Sequence, residues 1–372
     1  MSKSRKASVA LLVVLVSILV SPPLIQAHAG ASSFDMGVNY LSTWYHYETG
    51  YLSNATLQRD FQFFQDHGLR IVSLAVVWAY MEQSKGDYNA VGVADLRRVS
   101  AIAAEHGIQV IIDFHTLMDN KYGNGSWTLP EWLPSRQFKT VFTNTTYRLA
   151  WISYLNNMSA SLADIANLHS WHMMNEPWSS TATLEEWLVL WGEMKATIRA
   201  HSDKPVSIRF GSEVYLRFNR DPHIYDMCDY MALNWYEYLY PVANFTSLVS
   251  ELSAYRPVMI TEFGYSSDDD ETQRQEYQRY ITIFGDLDVT GAMPWFWRAD
   301  YAGGGPHAPG FGYNLAKNVS GGARPAFYVF SSIPAIPEMP VGTAGTLVVF
   351  MALSLPFLLN RKKHGTGPVN LH

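Results

Sequence analysis

The sequence predicts one large α/β domain, a (β/α)8 (TIM) barrel of parallel strands alternating with amphipathic helices. Between residues 33 and 332, short apolar runs recur behind helical patterns, and eight of them can be counted. The runs are nearly continuously apolar, as strands buried on both faces must be. The first is not followed by the Gly-rich phosphate loop of an open doubly wound nucleotide-binding sheet, the alternative architecture.

"MGVNY", near residue 38, is the first strand. "ATLQRDFQFFQDHG" then sets Leu57, Phe61 and Phe64 on one helical face, closes at Gly68 and feeds the apolar strand "LRIVSLAVVW". The unit repeats: "ADLRRVSAIAAEHG" aligns Leu96, Val99 and Ile102, ends at Gly107 and runs into "IQVIIDF". Later strands are "WHMMN", "PVSIRF", "YMALNWY", "PVMITEF" and "GAMPWFW". Helices are read over "TNTTYRLAWISYLNNMSASLADIA", "TLEEWLVLWGEMKATIRA" and "DDETQRQEYQRYITIFG".

The composition, 48% hydrophobic and 16% charged over 372 residues, suits a large buried core. A net charge of -6 gives no basic footprint and argues against a nucleic-acid partner. Residues 1–29 read as a signal peptide: Lys3, Arg5 and Lys6 precede an apolar run, and Ala27-His28-Ala29 offers a cleavage site, with a retained anchor as the alternative. Residues 30–332 form the barrel domain and 333–340 a Pro-rich linker. Residues 341–360 are twenty uncharged residues, roughly 30 Å as a helix and long enough to cross a bilayer. The basic tail 361–372 then places the domain outside the cell, anchored in the membrane. The same region is similar to the tripartite sorting tails cleaved by archaeosortase-type enzymes, so permanent anchoring stays open. Six Asn-x-Ser/Thr sequons, at Asn54, Asn124, Asn144, Asn157, Asn244 and Asn318, suit an exported glycoprotein. The single Cys228 excludes an intrachain disulfide.

Working groups of such a barrel sit at the C-terminal ends of its strands. The third ends near His115, the fourth in Asn175-Glu176, the sixth in Asn234 and Tyr236, the seventh in Glu262 and the eighth in "PWFW". Taken alone, Asn-Glu-Pro is equally a strand-stopping turn. Two Glu residues facing each other across a rim are, however, the minimal apparatus of glycoside hydrolysis: one protonates the leaving oxygen and the other attacks or activates water. No Arg or Lys lies within several residues of either, which argues against a local salt bridge. His residues show no His-Glu-x-x-His pairing, and a carboxylate mechanism calls for no metal or other cofactor. The acidic run at 268–271 opens a helix, where it meets the positive end of the dipole; a calcium loop is the lesser reading.

In order and spacing, "GVNYLSTWY", "VVWAYME", "IIDFHT", "MMNEPW", "NWY", "ITEFG" and "GAMPWFW" resemble the clan of (β/α)8 retaining glycoside hydrolases, most closely family 5, the cellulase and mannanase family. The resemblance implies Glu176 as acid/base, Glu262 as nucleophile, Asn175 on the sugar 2-hydroxyl and His115 lining the subsite of the cleaved sugar. It also implies Tyr236 on the nucleophile's carboxylate and Trp295 as sugar platform, with Trp297 as rival. Retention through a glycosyl-enzyme, and a β-linked oligo- or polysaccharide substrate, follow from the same likeness.

Two departures stand out. Ser73 lies where the family usually has an Arg on strand two, and Asn234 where many members have His. Both are expected to touch the substrate end of the site and not the two Glu residues. A surface sugar-binding protein that has lost catalysis and a transglycosylase are the competing readings.

Overall fold

The computed structural model describes residues 34–42, 52–115, 128–135, 137–177, 182–211, 221–297, 315–316 and 322–331. Eight strands lie in them: β1 (Asp35–Ser42), β2 (Ile71–Ala75), β3 (Gln109–Asp113), β4 (Leu168–Asn175), β5 (Val206–Gly211), β6 (Met231–Trp235), β7 (Val258–Phe263) and β8 (Gly291–Pro294). Each pairs in parallel with the next, and β8 returns to β1, closing a barrel. The expected (β/α)8 architecture is therefore present.

The longer helices among the described residues are α1 (Asn54–Asp66), α2 (Ala90–Glu105), α3 (Thr145–Leu162), α4 (Leu184–Arg199), α5 (Val242–Ser253), α6 (Asp270–Gly285) and α7 (Pro325–Ser331). Their starts are chemically marked. Ser53, Asn89, Asn144 and Asp269 each accept a backbone N–H of the first turn, and Thr183 with Glu186 forms a capping box. Asp269 caps α6, with Asp270 and Glu271 in its first turn, so the acidic run is a helix start as expected. The two His-Gly ends also behave as read: Gly68 (φ 76°) and Gly107 (φ 68°) adopt the left-handed conformation that ends α1 and α2 without a Cβ clash.

Two boundaries differ from the expectation. Helix α2 begins at Ala90 because Asn89 caps it, ahead of the apolar periodicity. Helix α5, which the sequence reading did not name, buries Phe245, Leu248, Val249 and Leu252, but its cap position is Pro241 and no side chain caps it. The usual start signal is missing there.

The core lies between barrel and helices. Trp78, Trp151, Trp171, Trp187, Trp191 and Trp235 are all fully buried, so much of the chain's aromatic content is packing. Cys228 is buried with its thiol pushed up to about 12 by desolvation. Among the described residues no helix is long and apolar enough to cross a membrane. The segments read as signal peptide, linker, span or sorting tail and basic tail lie outside the described residues, as do the sequons at Asn124 and Asn318.

Candidate active site

The C-terminal rim gathers residues from six strands. β4 delivers Asn175, and its last ladder bond runs from the Glu176 N–H to the Arg209 carbonyl at 2.7 Å. Glu176 then turns with φ 45°, left-handed and non-glycine, a conformation costing on the order of 1–3 kcal/mol that clusters at functional sites. Pro177 follows and cannot extend the strand. The Asn-Glu-Pro is both a strand stop and the means by which a carboxyl reaches the rim.

Asn234, on β6, sits between the two carboxyls. Its Nδ2 donates to Glu262 Oε2 at 2.9 Å, to Glu176 Oε1 at 3.1 Å and to Asn175 Oδ1 at 3.1 Å. Its Oδ1 accepts from Thr261 Oγ1 at 3.0 Å, and the Arg209 Nε–H points at it from 3.4 Å, which orients the amide. Two carboxyl oxygens bonded to one nitrogen at these distances lie no more than about 6 Å apart. Asn234 therefore touches both Glu residues, contrary to the expectation that its departure from His affects only the substrate end. Sequence cannot show this, because Asn175, Glu176, Asn234 and Glu262 meet only once the barrel closes.

The cation that pairs with Glu262 is not a local one. Arg209 on β5 is 1% exposed; its Nη2 lies 2.7 Å from Glu262 Oε2 and 3.0 Å from the Thr261 carbonyl, while its Nη1 lies 2.8 Å from Asp113 Oδ2. The partner stands 53 residues from Glu262 in sequence, beyond any local inspection. Tyr236 completes the set, its hydroxyl donating to Glu262 Oε1 at 2.8 Å as the resemblance implied.

The electrostatics follow from burial and these contacts. Desolvation pushes the Glu262 carboxyl up to about 7; the Arg209 charge opposes the rise, Glu176 adds to it, and the Tyr236 hydroxyl and His115 oppose it. Arg209, which feels Glu262 more strongly than Glu176, favours the anion on Glu262. Burial alone would raise Asp113, but the Arg209 guanidinium and His115 hold it well below the ordinary carboxylate range.

After β3, His115 is 7% exposed and its Nδ1 bonds Asp113 Oδ2 at 3.1 Å. Its ring lies parallel to Trp295, 10° between planes and 6.3 Å between centroids. Trp297 is 5% exposed and packed on Phe63, Phe64 and Phe327, so it is a core residue. Trp295 is the half-buried tryptophan at the rim. Among the described residues no cluster of His, Cys, Asp or Glu is arranged to hold a metal ion.

Residues 30–302 match the family described as Cellulase (glycosyl hydrolase family 5). The chain belongs to glycoside hydrolase family 5. It is thus a glycoside hydrolase, a β-glycosidase built on a closed eight-stranded barrel. Solved structures share the fold at low identity. A GH5_18 protein of Streptomyces cattleya in complex with GlcNAc has a TM-score of 0.68 at 18% identity, covering 81% of this chain and 79% of that one. A GH5_18 protein of Bifidobacterium longum subsp. infantis has a TM-score of 0.67 at 17% identity over 82% and 80%. An exo-β-1,4-mannosidase of Opitutaceae bacterium strain TAV5 has a TM-score of 0.67 at 16% identity over 80% of this chain and 59% of that one. A search of curated proteins found no significant match.

Proposed function

We propose that this family 5 protein is a retaining β-glycosidase in which Glu262 is the nucleophile and Glu176 the acid/base. The observation that carries the reading is the pair of carboxyls bridged by one Asn234 nitrogen, close enough for direct displacement. In the first step the Glu262 carboxylate forms a bond to the anomeric carbon while the glycosidic bond breaks, and Glu176 gives its proton to the departing oxygen. In the second, Glu176, now a carboxylate, takes a proton from water as that water's oxygen bonds the anomeric carbon and Glu262 leaves.

The surroundings suit both halves. Arg209, Asn234 and Tyr236 hold Glu262 anionic and aimed before attack. Once Glu262 is esterified its charge is gone, so the Glu176 carboxylate left by the first step no longer faces an anion as it serves as the base of the second. Asn175, with Oδ1 engaged by Asn234, has its amide nitrogen as the donor for the sugar 2-hydroxyl. Trp295 and His115 supply the wall against which the sugar packs.

The substrate in this reading is a β-linked mannoside or glucoside. Neighbours of the same fold include a β-mannosidase and proteins described with Manβ1-4GlcNAc, which makes aryl β-mannosides, β-glucosides and that disaccharide the first compounds to assay. The enzyme would act outside the cell, a placement resting on the leader-like residues 1–29 and the apolar stretch 341–360. Glu262→Gln is expected to abolish hydrolysis of 4-nitrophenyl β-mannoside and β-glucoside, and Glu176→Ala to recover turnover on addition of azide. Unchanged activity in Glu262→Gln would remove the assigned nucleophile and with it the mechanism.

A further inference from the structure

Arg209 is a guanidinium buried inside the barrel, and the fold offers no packing reason to place a charge there. A buried charge is tolerated only with partners, and this one uses its whole fork. Nη1 is on Asp113 of β3, Nη2 on Glu262 and the Thr261 carbonyl of β7, and Nε points at Asn234 of β6. A lysine, a single ammonium, cannot hold β3 and β7 in this way.

Strand two tells the complementary half. Ser73 shares its face with Ile71, which packs with Ile111 in the barrel interior, and the Ser73 Oγ is buried without a hydrogen-bond partner. Where the resemblance implies an arginine on strand two, this chain has a short side chain, and its long cation is on β5.

We propose that Arg209 is the positioning residue for the nucleophile Glu262, supplying from β5 the fixed cation that holds its carboxylate ionised and aimed. The inference rests on the reading of Glu262 as nucleophile. Arg209 acts through Glu262 and does not touch the sugar. By gripping Asp113 it also fixes the acceptor that orients His115, so one guanidinium ties the nucleophile to the sugar-side wall. The charged and titratable groups facing Glu262 are Glu176 from β4, Arg209 from β5, Tyr236 after β6 and His115 after β3, with Asp113 behind the guanidinium. Arg209 is the permanent cation among them.

The test uses 2,4-dinitrophenyl 2-deoxy-2-fluoro-β-mannoside and the matching glucoside, which trap the nucleophile as a stable ester read by intact mass and peptide mapping. In the parent protein the label is expected on Glu262. A label on another residue would overturn the functional reading itself, whereas the variants below bear on Arg209 alone. Arg209→Met is expected to slow labelling at least about 100-fold at pH 6, because a fixed charge beside the reacting group is lost. It should also move the acidic limb of the labelling rate upward by about one pH unit or more, since an unaccompanied carboxylate ionises later.

Asp113→Asn/Arg209→Met leaves no unpaired buried Asp113 charge, so it keeps the test valid if the single variant misfolds; it should show the same upward limb. Arg209→Lys should fall between parent and Arg209→Met. Ser73→Arg/Arg209→Ser, with the cation returned to strand two, should label at least about tenfold faster than Arg209→Ser. A merely structural role would lower the melting temperature without moving the limb. Variants that fold and label within about threefold of the parent, with an unmoved limb, would overturn the proposal.

Discussion

The short gap between Glu176 and Glu262 makes a quantitative prediction about their titration. Each has an oxygen about 3 Å from Asn234 Nδ2, so the two oxygens are within about 6 Å of each other. Two unit charges at that distance, at an effective dielectric of about 20, repel by about 2.8 kcal/mol, or about two pH units. Glu262→Gln removes one charge and keeps the side-chain shape. Glu176 should then ionise about two units lower than in the parent, and the freed Arg209 charge acts in the same direction. Carbon-13 NMR titration of glutamate carboxyls, comparing parent and variant at matched thermal stability, reads the shift directly. Trapping Glu262 as its fluoroglycosyl ester should reproduce it. A shift below about half a unit, or an upward one, would refute the facing-carboxylate geometry and the exchange of roles built on it.

Other outcomes follow from the same contacts. Trp295→Ala should raise KM about tenfold or more with little change in melting temperature, because its ring lies at the rim. Trp297→Ala should do the reverse, destabilising the fold by about 3–5 kcal/mol through lost packing on Phe63, Phe64 and Phe327. Asn234→Ala should lower kcat/KM by about 10- to 100-fold, the loss of a hydrogen bond to a charged group, and change the width of the pH profile because both carboxyls lose the same donor. His172 is buried against Tyr230 at 2.6 Å; desolvation lowers it to about 3, with Asp113 opposing and Arg209 and His169 reinforcing. The unfolded chain takes that proton near pH 6.5 and the folded chain refuses it, so stability falls as pH drops from about 6.5 toward 3. His172→Gln should lose less melting temperature between pH 7 and 4.5 than the parent.

Much of the fold was legible because its signals are local. Leu57, Phe61 and Phe64 mark one helical face, and all three are buried. Gly68 and Gly107 mark helix ends by the one backbone conformation glycine adopts without penalty. The strand-end positions of Glu176, Glu262, His115 and Tyr236 were equally readable, since parallel barrels put their chemistry there. Helix α5 escaped because Pro241 gives no side-chain cap. Arg209 escaped for a different reason: "PVSIRF" reads as a plain strand, and an arginine in it looks like a surface residue until the barrel turns it inward onto Glu262.

By itself the sequence determined the alternating strands and helices, the two glutamates at strand ends and the family they resemble, because periodicity, caps and motif order are properties of neighbouring residues. Only the tertiary structure decided what surrounds those glutamates. Closure of eight strands brings β3, β4, β5, β6 and β7 to within hydrogen-bonding reach, so that Asn234 bridges two carboxyls and Arg209 pairs with Glu262. Charges act through space, and the distances that set their energies are fixed by the closed barrel, not by separation along the chain.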